Sequence, residues 1–245
     1  MAEPPSAWRD LRRFTAARVG LGRSGNGLPT RVHLAFQAAH ALARDAVHAP
    51  LDTDALARDL AGLGLAVSSV RSRAPDRATY LLRPDLGRAG NADDLAALPR
   101  EGGTALMVGD GLSATAVQRH AVPLLASALP LLGEAAPRRA VIATGARVAL
   151  GDALGEVLGA ELVIVLIGER PGLSAPDSLG AYITWAPRPG RTDAERNCIS
   201  NIRPGGLGFA EAAATLAWLV AEMRRRRLSG VALKDERPAA PSLPG

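Results

Sequence analysis

The 245-residue chain has one cysteine, Cys198, and one lysine, Lys234. A single thiol excludes an internal disulfide and fits a reducing compartment. Scarcity of lysine excludes a phosphate-binding P-loop, which needs lysine directly after glycine. Aromatic residues are only 3% of the chain, and the arginines behind its net charge of +5 are dispersed. A nucleic-acid surface would instead interleave basic residues with aromatics on one face. The longest basic run, Arg224 to Arg227, closes a predicted helix, where positive charge favours the negative end of the helix dipole. No apolar run reaches the roughly 20 residues of a bilayer span, and the longest is interrupted by Pro123 and Pro130. The leading MAEPPSAWRD has no apolar segment of a secretory signal. There is no G-x-S-x-G elbow.

The remaining composition suits a globular chain that can bury a real core. Residues 7 to 19 predict a short amphipathic helix, followed by a glycine-rich loop and a long helix that opens at Pro29 and stops before Pro50. Asp52 or Thr53 can cap another helix ending near Leu63. Leu65 to Arg71 and Thr79 to Leu82 read as two short strands. From Thr104 the grammar changes to strand, turn, helix. Strands are expected at Ala105 to Val108, Ala140 to Ala143, Leu162 to Ile167 and Ala181 to Trp185. Helices are expected over Ala114 to Leu132, Asp152 to Leu158 and Ala210 to Arg227. The pattern predicts an α/β fold with a mostly parallel, Rossmann-like sheet flanked by helices. It divides the chain into a mainly helical region with a small β appendage over 1–95, an α/β domain over 96–230, and a proline-rich tail over 231–245, expected to be disordered.

The four expected strand ends carry GDGLS, TGARV, GERPG and APRPGR, with Arg147, Arg170, Arg188 and Arg191 nearby. In a parallel sheet all four fall on the rim where ligands bind. Any one glycine-rich turn is ordinary, but four together point to a large polar ligand. The stretch Gly168 to Pro204 is too polar and turn-rich for core and is expected to hold a cofactor against a partner subunit. Gly20, Gly22 and Gly25 spell G-x-G-x-x-G with Asp45 downstream. The segment before them is helical, however, so the dinucleotide-binding context is wrong. His33 and His40 can share a helix face but lack carboxylate or thiol ligands at matching spacing, so no metal site is expected. Cys198 reads as a buried or ligand-facing thiol in preference to a nucleophile. Glu169 directly follows an apolar strand. It is either held in a local ion pair, with Arg170 for example, or committed to a ligand. By residue chemistry alone no catalytic set emerges.

LGRSGNGLPTRVHLAFQAAHALARDAVHAPLD, YLLRPDLGR, GDGLSATAV, IGERPGLSAPDSLGAY and RNCISNIRPGGL, in that order, closely resemble the small (light) chain of ethanolamine ammonia-lyase, from about Trp8 to Arg227. That resemblance implies an adenosylcobalamin-dependent lyase that converts ethanolamine to acetaldehyde and ammonia. In this family a large TIM-barrel subunit holds the substrate, cobalamin lies between the subunits, and the whole is a hexamer of heterodimers. It implies no independent activity, no catalytic residue and no metal ligand in the small chain, and no nucleic-acid or membrane partner. Carried over by motif, the cobalamin-contacting positions are Val148, Glu169 and Cys198. Glu169 would accept from the amide side chains of the corrin, while Val148 and Cys198 would supply apolar packing. The chain has no Asp-x-His-x-x-Gly motif, in keeping with base-on cobalamin in this family. The implied location is cytoplasmic, with a bacterial microcompartment as the alternative. Relatives recruited to microcompartments carry a long leading extension, whereas this chain starts almost at Trp8. Two other readings stay open on the residues alone: a nucleotide-dependent oxidoreductase using Gly20, Gly22 and Gly25, and a purely structural subunit.

Overall fold

The computed structural model describes residues 6–15 and 17–236. A short helix α1 (Ser6–Leu11) and a loop lead into α2 (Thr30–His48) and α3 (Thr53–Gly62). The remaining order is β1 (Ala66–Arg71), α4 (Arg77–Leu82), α5 (Pro84–Gly87), α6 (Ala92–Ala96), β2 (Thr104–Gly109), α7 (Ala114–Leu132), β3 (Arg139–Thr144), α8 (Leu150–Leu158), β4 (Leu162–Gly168), β5 (Leu179–Trp185), β6 (Arg196–Ile202) and α9 (Phe209–Arg226).

Six strands form one sheet in the order β1-β3-β2-β4-β5-β6. The sheet is mixed. β1–β3, β2–β3 and β2–β4 pair in parallel, whereas β4–β5 and β5–β6 pair antiparallel. The expectation of a mostly parallel, Rossmann-like sheet therefore carried the crossover pattern one strand too far, to β5. Residues 169–178 contain no helix, and a parallel connection needs a crossover of about a dozen residues or more. The chain turns back as a hairpin instead. A further strand, β6, lies inside the stretch read as turns and ligand-binding loop.

β4 shows why the parallel strands form. Every residue of LVIVLIG is buried. Leu162, Ile164 and Leu166 enter a core with Leu124 of α7 and Leu216 of α9, while Val163, Val165 and Ile167 enter another with Leu150 and Leu154 of α8. Period-two alternation thus feeds two apolar layers, and a continuous apolar run marks a strand covered on both faces. At about 25 cal/mol per Å² of apolar surface, each such side chain contributes roughly 1.5–3 kcal/mol of transfer free energy.

Three further expectations change. β1 is the edge strand of this sheet, not an appendage, and Leu56 and Leu60 of α3 share the core of α7. Thr79 to Leu82 belongs to helix α4, not a strand, because Asp76 caps the segment by accepting from Thr79 N and Tyr80 turns into the interior. The tail expected from 231 is ordered at its start: Gly230–Ala232 forms a 3₁₀ turn and Leu233 is buried. Residues 237–245 lie outside the described residues.

Candidate functional site

From β2 the chain passes through α7 to β3, and from β3 through α8 to β4, which lies on the other side of β2. The carboxyl ends of β2 and β4 therefore flank a point where the winding reverses, the usual ligand crevice of an α/β sheet. Three of the four expected motifs meet there. The fourth does not. Trp185 pairs with Leu162, so the antiparallel course of β5 carries APRPGR to the opposite end of the sheet.

Asp110 of GDGLS staples the rim together. Its Oδ1 accepts from Gly111 N (2.9 Å) and Ala146 N (3.0 Å), and its Oδ2 accepts from Gly145 N (2.9 Å) and Arg77 Nη1 (3.4 Å). Burial raises its pKa, opposed by the N–H groups of Ala146 and Gly145 and by the Arg77 charge. Gly111 is needed where it stands. Its φ is +57°, and a Cβ there would run into the Gly168 carbonyl oxygen. The Gly168 oxygen also accepts from Leu112 N (2.9 Å), so the turns after β2 and β4 are seated against each other.

Glu169 follows Gly168 and is half-buried. Its Oε2 accepts from Ser178 Oγ (2.5 Å) and Asn201 N (3.1 Å). Asn201 adopts φ +59°, a left-handed conformation that asparagine tolerates better than most residues. Among the described residues no arginine lies within ion-pair reach of Glu169, Arg170 included, and its Oε1 has no hydrogen-bond donor. The local ion pair considered from sequence is absent, and one carboxylate oxygen remains free to accept.

That carboxylate lies over Gly180, where a Cβ would come within 3.0 Å of both Glu169 Oε1 and the Tyr182 ring. Tyr182 pairs with Cys198 across β5 and β6, and opposed residues in an antiparallel pair share a face. Cys198 is exposed and its Sγ lies 3.2 Å from Ser200 Oγ. Desolvation of the sulfur against the strand face raises its pKa, opposed by hydrogen bonding to Ser200 and Tyr182. A thiol shifted upward stays protonated at neutral pH, which suits packing and not nucleophilic attack.

Val148 and Glu169 line one hollow of about 400 Å³ with Gly111, Arg147, Arg170 and Tyr182. Cys198 joins this patch through Tyr182. Two larger hollows contain none of the three: one of about 670 Å³ beside Arg77 and Asp110, and one of about 940 Å³ beside Asp152 and Arg196. The smaller hollow is the better candidate because its wall carries an acceptor and donors that the protein itself leaves unused.

Sequence reading passed over two tyrosines. Tyr80 is buried, donates to Ala146 O (3.0 Å), and has the guanidinium carbons of Arg77 and Arg147 at 4.7 and 4.4 Å from its ring centroid. Burial pushes its pKa up to about 12. Only a helical reading of YLLRPDLGR would have turned Tyr80 inward. Tyr182 was visible, with Thr184, as a polar member of an otherwise apolar strand. Among the described residues no group of three or more His, Cys, Asp or Glu could hold a metal ion, and no helix is long and apolar enough to cross a membrane.

The sequence model of the ethanolamine ammonia-lyase light chain matches residues 5–234. The chain belongs to the ethanolamine ammonia-lyase light-chain family. Its relatives include ethanolamine ammonia-lyase small subunits from Bradyrhizobium diazoefficiens, 57% identical over 96% of this chain and 93% of the relative, and from Rhodopseudomonas palustris, 58% identical over 93% and 90%. The Azotobacter vinelandii small subunit is 54% identical over 95% of this chain and 90% of its own length. The name small subunit implies a larger partner for these relatives.

Proposed function

We propose that this light chain encloses adenosylcobalamin against the large subunit of ethanolamine ammonia-lyase, in a complex that converts ethanolamine to acetaldehyde and ammonia. The observation that carries this reading is the free Oε1 of Glu169, held by Ser178 and Asn201 through its other oxygen beside a hollow walled by Val148, Tyr182 and two arginines. Corrin carboxamides carry both N–H donors and carbonyl acceptors, and the hollow offers a carboxylate for the first and guanidinium groups for the second. Val148 supplies an apolar wall for the macrocycle, and Cys198 extends the patch onto β6. A hollow of about 400 Å³ encloses only part of so large a ligand. The rest must be covered by another surface, that of the large subunit.

Bound cobalamin supplies the radical chemistry. This chain's residues bind and orient it and keep water from one side. Among the described residues none is positioned as a nucleophile or general base, and activity of the light chain alone is not expected. The assembly we favour is a hexamer of heterodimers in the cytoplasm.

The test is Glu169→Gln in the complex assembled with the large subunit. Losing a charge-assisted hydrogen bond should weaken cobalamin binding by about 10- to 150-fold, read by absorbance titration. Unchanged affinity would remove Glu169 from the site. Full-rate ethanolamine deamination by the isolated light chain would overturn the division of labour.

A further inference from the structure

We infer that Arg147 is a second cofactor-contacting residue of this site, donating to an oxygen acceptor of the corrinoid while Glu169 accepts from its N–H groups. The inference rests on the cobalamin reading above. Arg147 directly precedes Val148 and lines the same hollow as Glu169. Of the other guanidinium groups of this rim, Arg77 pairs with Asp110, Arg119 and Arg203 both reach Asp177, and Arg170, which lines the same hollow, is exposed to solvent. Among the described residues Arg147 has none. Its Nη2 reaches only the Tyr80 carbonyl oxygen at 3.5 Å, and its Nε is buried without any partner.

A partly buried guanidinium without an anion is costly unless something else satisfies it. Stacking on Tyr80 explains where the group is held but not why its donors are left unused. The hold itself is tight. Arg147 N donates to Gly87 O (2.8 Å), and a Cβ on Gly87 would come within 2.9 Å of both Arg147 Cγ and the Tyr80 ring. Gly87 of YLLRPDLGR thus lets the arginine stem lie against the tyrosine, which orders the donor before any ligand arrives. An oxygen acceptor on cobalamin has two sources, a carboxamide carbonyl or the phosphodiester of the nucleotide loop.

The experiment is corrinoid titration of the assembled complex, followed by absorbance, with hydroxocobalamin and with cobinamide, which lacks the phosphodiester. Arg147→Met should weaken hydroxocobalamin binding by about 10- to 100-fold, and Arg147→Lys should recover part of the loss because it keeps the charge without the fork. Equal losses toward both corrinoids assign the contact to a carboxamide. A loss confined to hydroxocobalamin assigns it to the phosphodiester. If Arg147→Met does not assemble, Arg147→Gln, which keeps a polar group of shorter reach, is read in the same way. Wild-type affinity for both corrinoids in the Arg147 variant, alongside weakened binding in Glu169→Gln, overturns this assignment and leaves the site standing. A wild-type complex that takes up neither corrinoid overturns the site and the assignment with it.

Discussion

In the parallel half of the sheet the candidate side chains stand on turns, whereas in the antiparallel half they stand on a strand. Val148 and Glu169 come from the loops after β3 and β4, at the carboxyl rim where strand after strand in parallel must end. Cys198 comes from the middle of β6 and reaches the same patch because β5 runs back beside β4 and delivers Tyr182 between them. Asn201, at the end of β6, donates its backbone N–H to the Glu169 carboxylate. The contrast teaches that the parallel half supplies the free carboxylate of Glu169 and the antiparallel half helps to orient it. A mostly parallel sheet would have offered four rim loops and nothing to fix Glu169.

Separating the halves should give the largest effect. Asp152 of α8 and Arg196 of β6 form a buried two-bond ion pair, Nη1–Oδ1 2.6 Å and Nη2–Oδ2 2.7 Å, with both side chains 2% exposed. It ties a helix of the parallel half to the last antiparallel strand. Asp152→Ala leaves the buried arginine only the exposed Asp193 carboxylate, 3.4 Å from its Nε, and is expected to cost about 3–5 kcal/mol in urea unfolding. Replacing both partners with apolar residues of similar volume should recover most of that loss. If the single and double variants unfold alike, the pair is not what joins the halves.

Gly168→Ala acts on the parallel rim alone. The added Cβ would strike the backbone carbonyl of Ser113, which has little room to yield, so a loss of about 1–3 kcal/mol is expected. The same variant should weaken corrinoid binding, since the turn after β2 and the start of the Glu169 segment must separate. Destabilisation with unaltered binding would show that the rim tolerates the shift and that Glu169 is placed chiefly by Ser178 and Asn201.

Acid titration should give the smallest effect and probe both halves at once. The Arg71 side chain and backbone N–H hold Asp94 at about 2, against 3.8 for a free carboxyl of its kind. The Thr192 backbone N–H, then Arg191 and the Thr192 hydroxyl, hold Glu195 at about 2, against 4.5. A depressed folded-state pKa means that the contribution is fully present above the unfolded value and is lost as pH falls through the folded one. Thermal midpoints should therefore decline between pH 4.5 and pH 2 and decline less in Asp94→Asn and Glu195→Gln. Solvent screening keeps each contribution small. A midpoint unchanged across that window in the wild type would show that neither contact is formed in solution.

Much of the parallel half was legible. β2, β3 and β4 are apolar runs bounded by glycine turns, and Ser113 before Ala114 marks the start of α7, where its Oγ accepts from Ala116 N. Burial on both faces writes itself into local composition. The antiparallel half was less legible because β6 buries Arg196, Ile199 and Ile202, a three-residue spacing that breaks the period-two alternation of a strand. An irregular register between β5 and β6 at Leu179 and Ala181 accompanies this. The short connection over 169–178 did carry a signal against a crossover, in its length and its lack of a helical pattern.

By itself the sequence determined the exclusions, the apolar strands, the turn glycines and the motifs that mark the family. Those properties depend on residue chemistry and neighbour spacing, which a chain carries before it folds. Tertiary structure alone decided the direction of β5, the opposite placement of APRPGR, the free oxygen of Glu169 and the unpaired guanidinium of Arg147. Whether a charged group is satisfied depends on what arrives from distant parts of the chain. Ser178, Asn201, Tyr80 and Gly87 reach these two residues only when the sheet has closed around them.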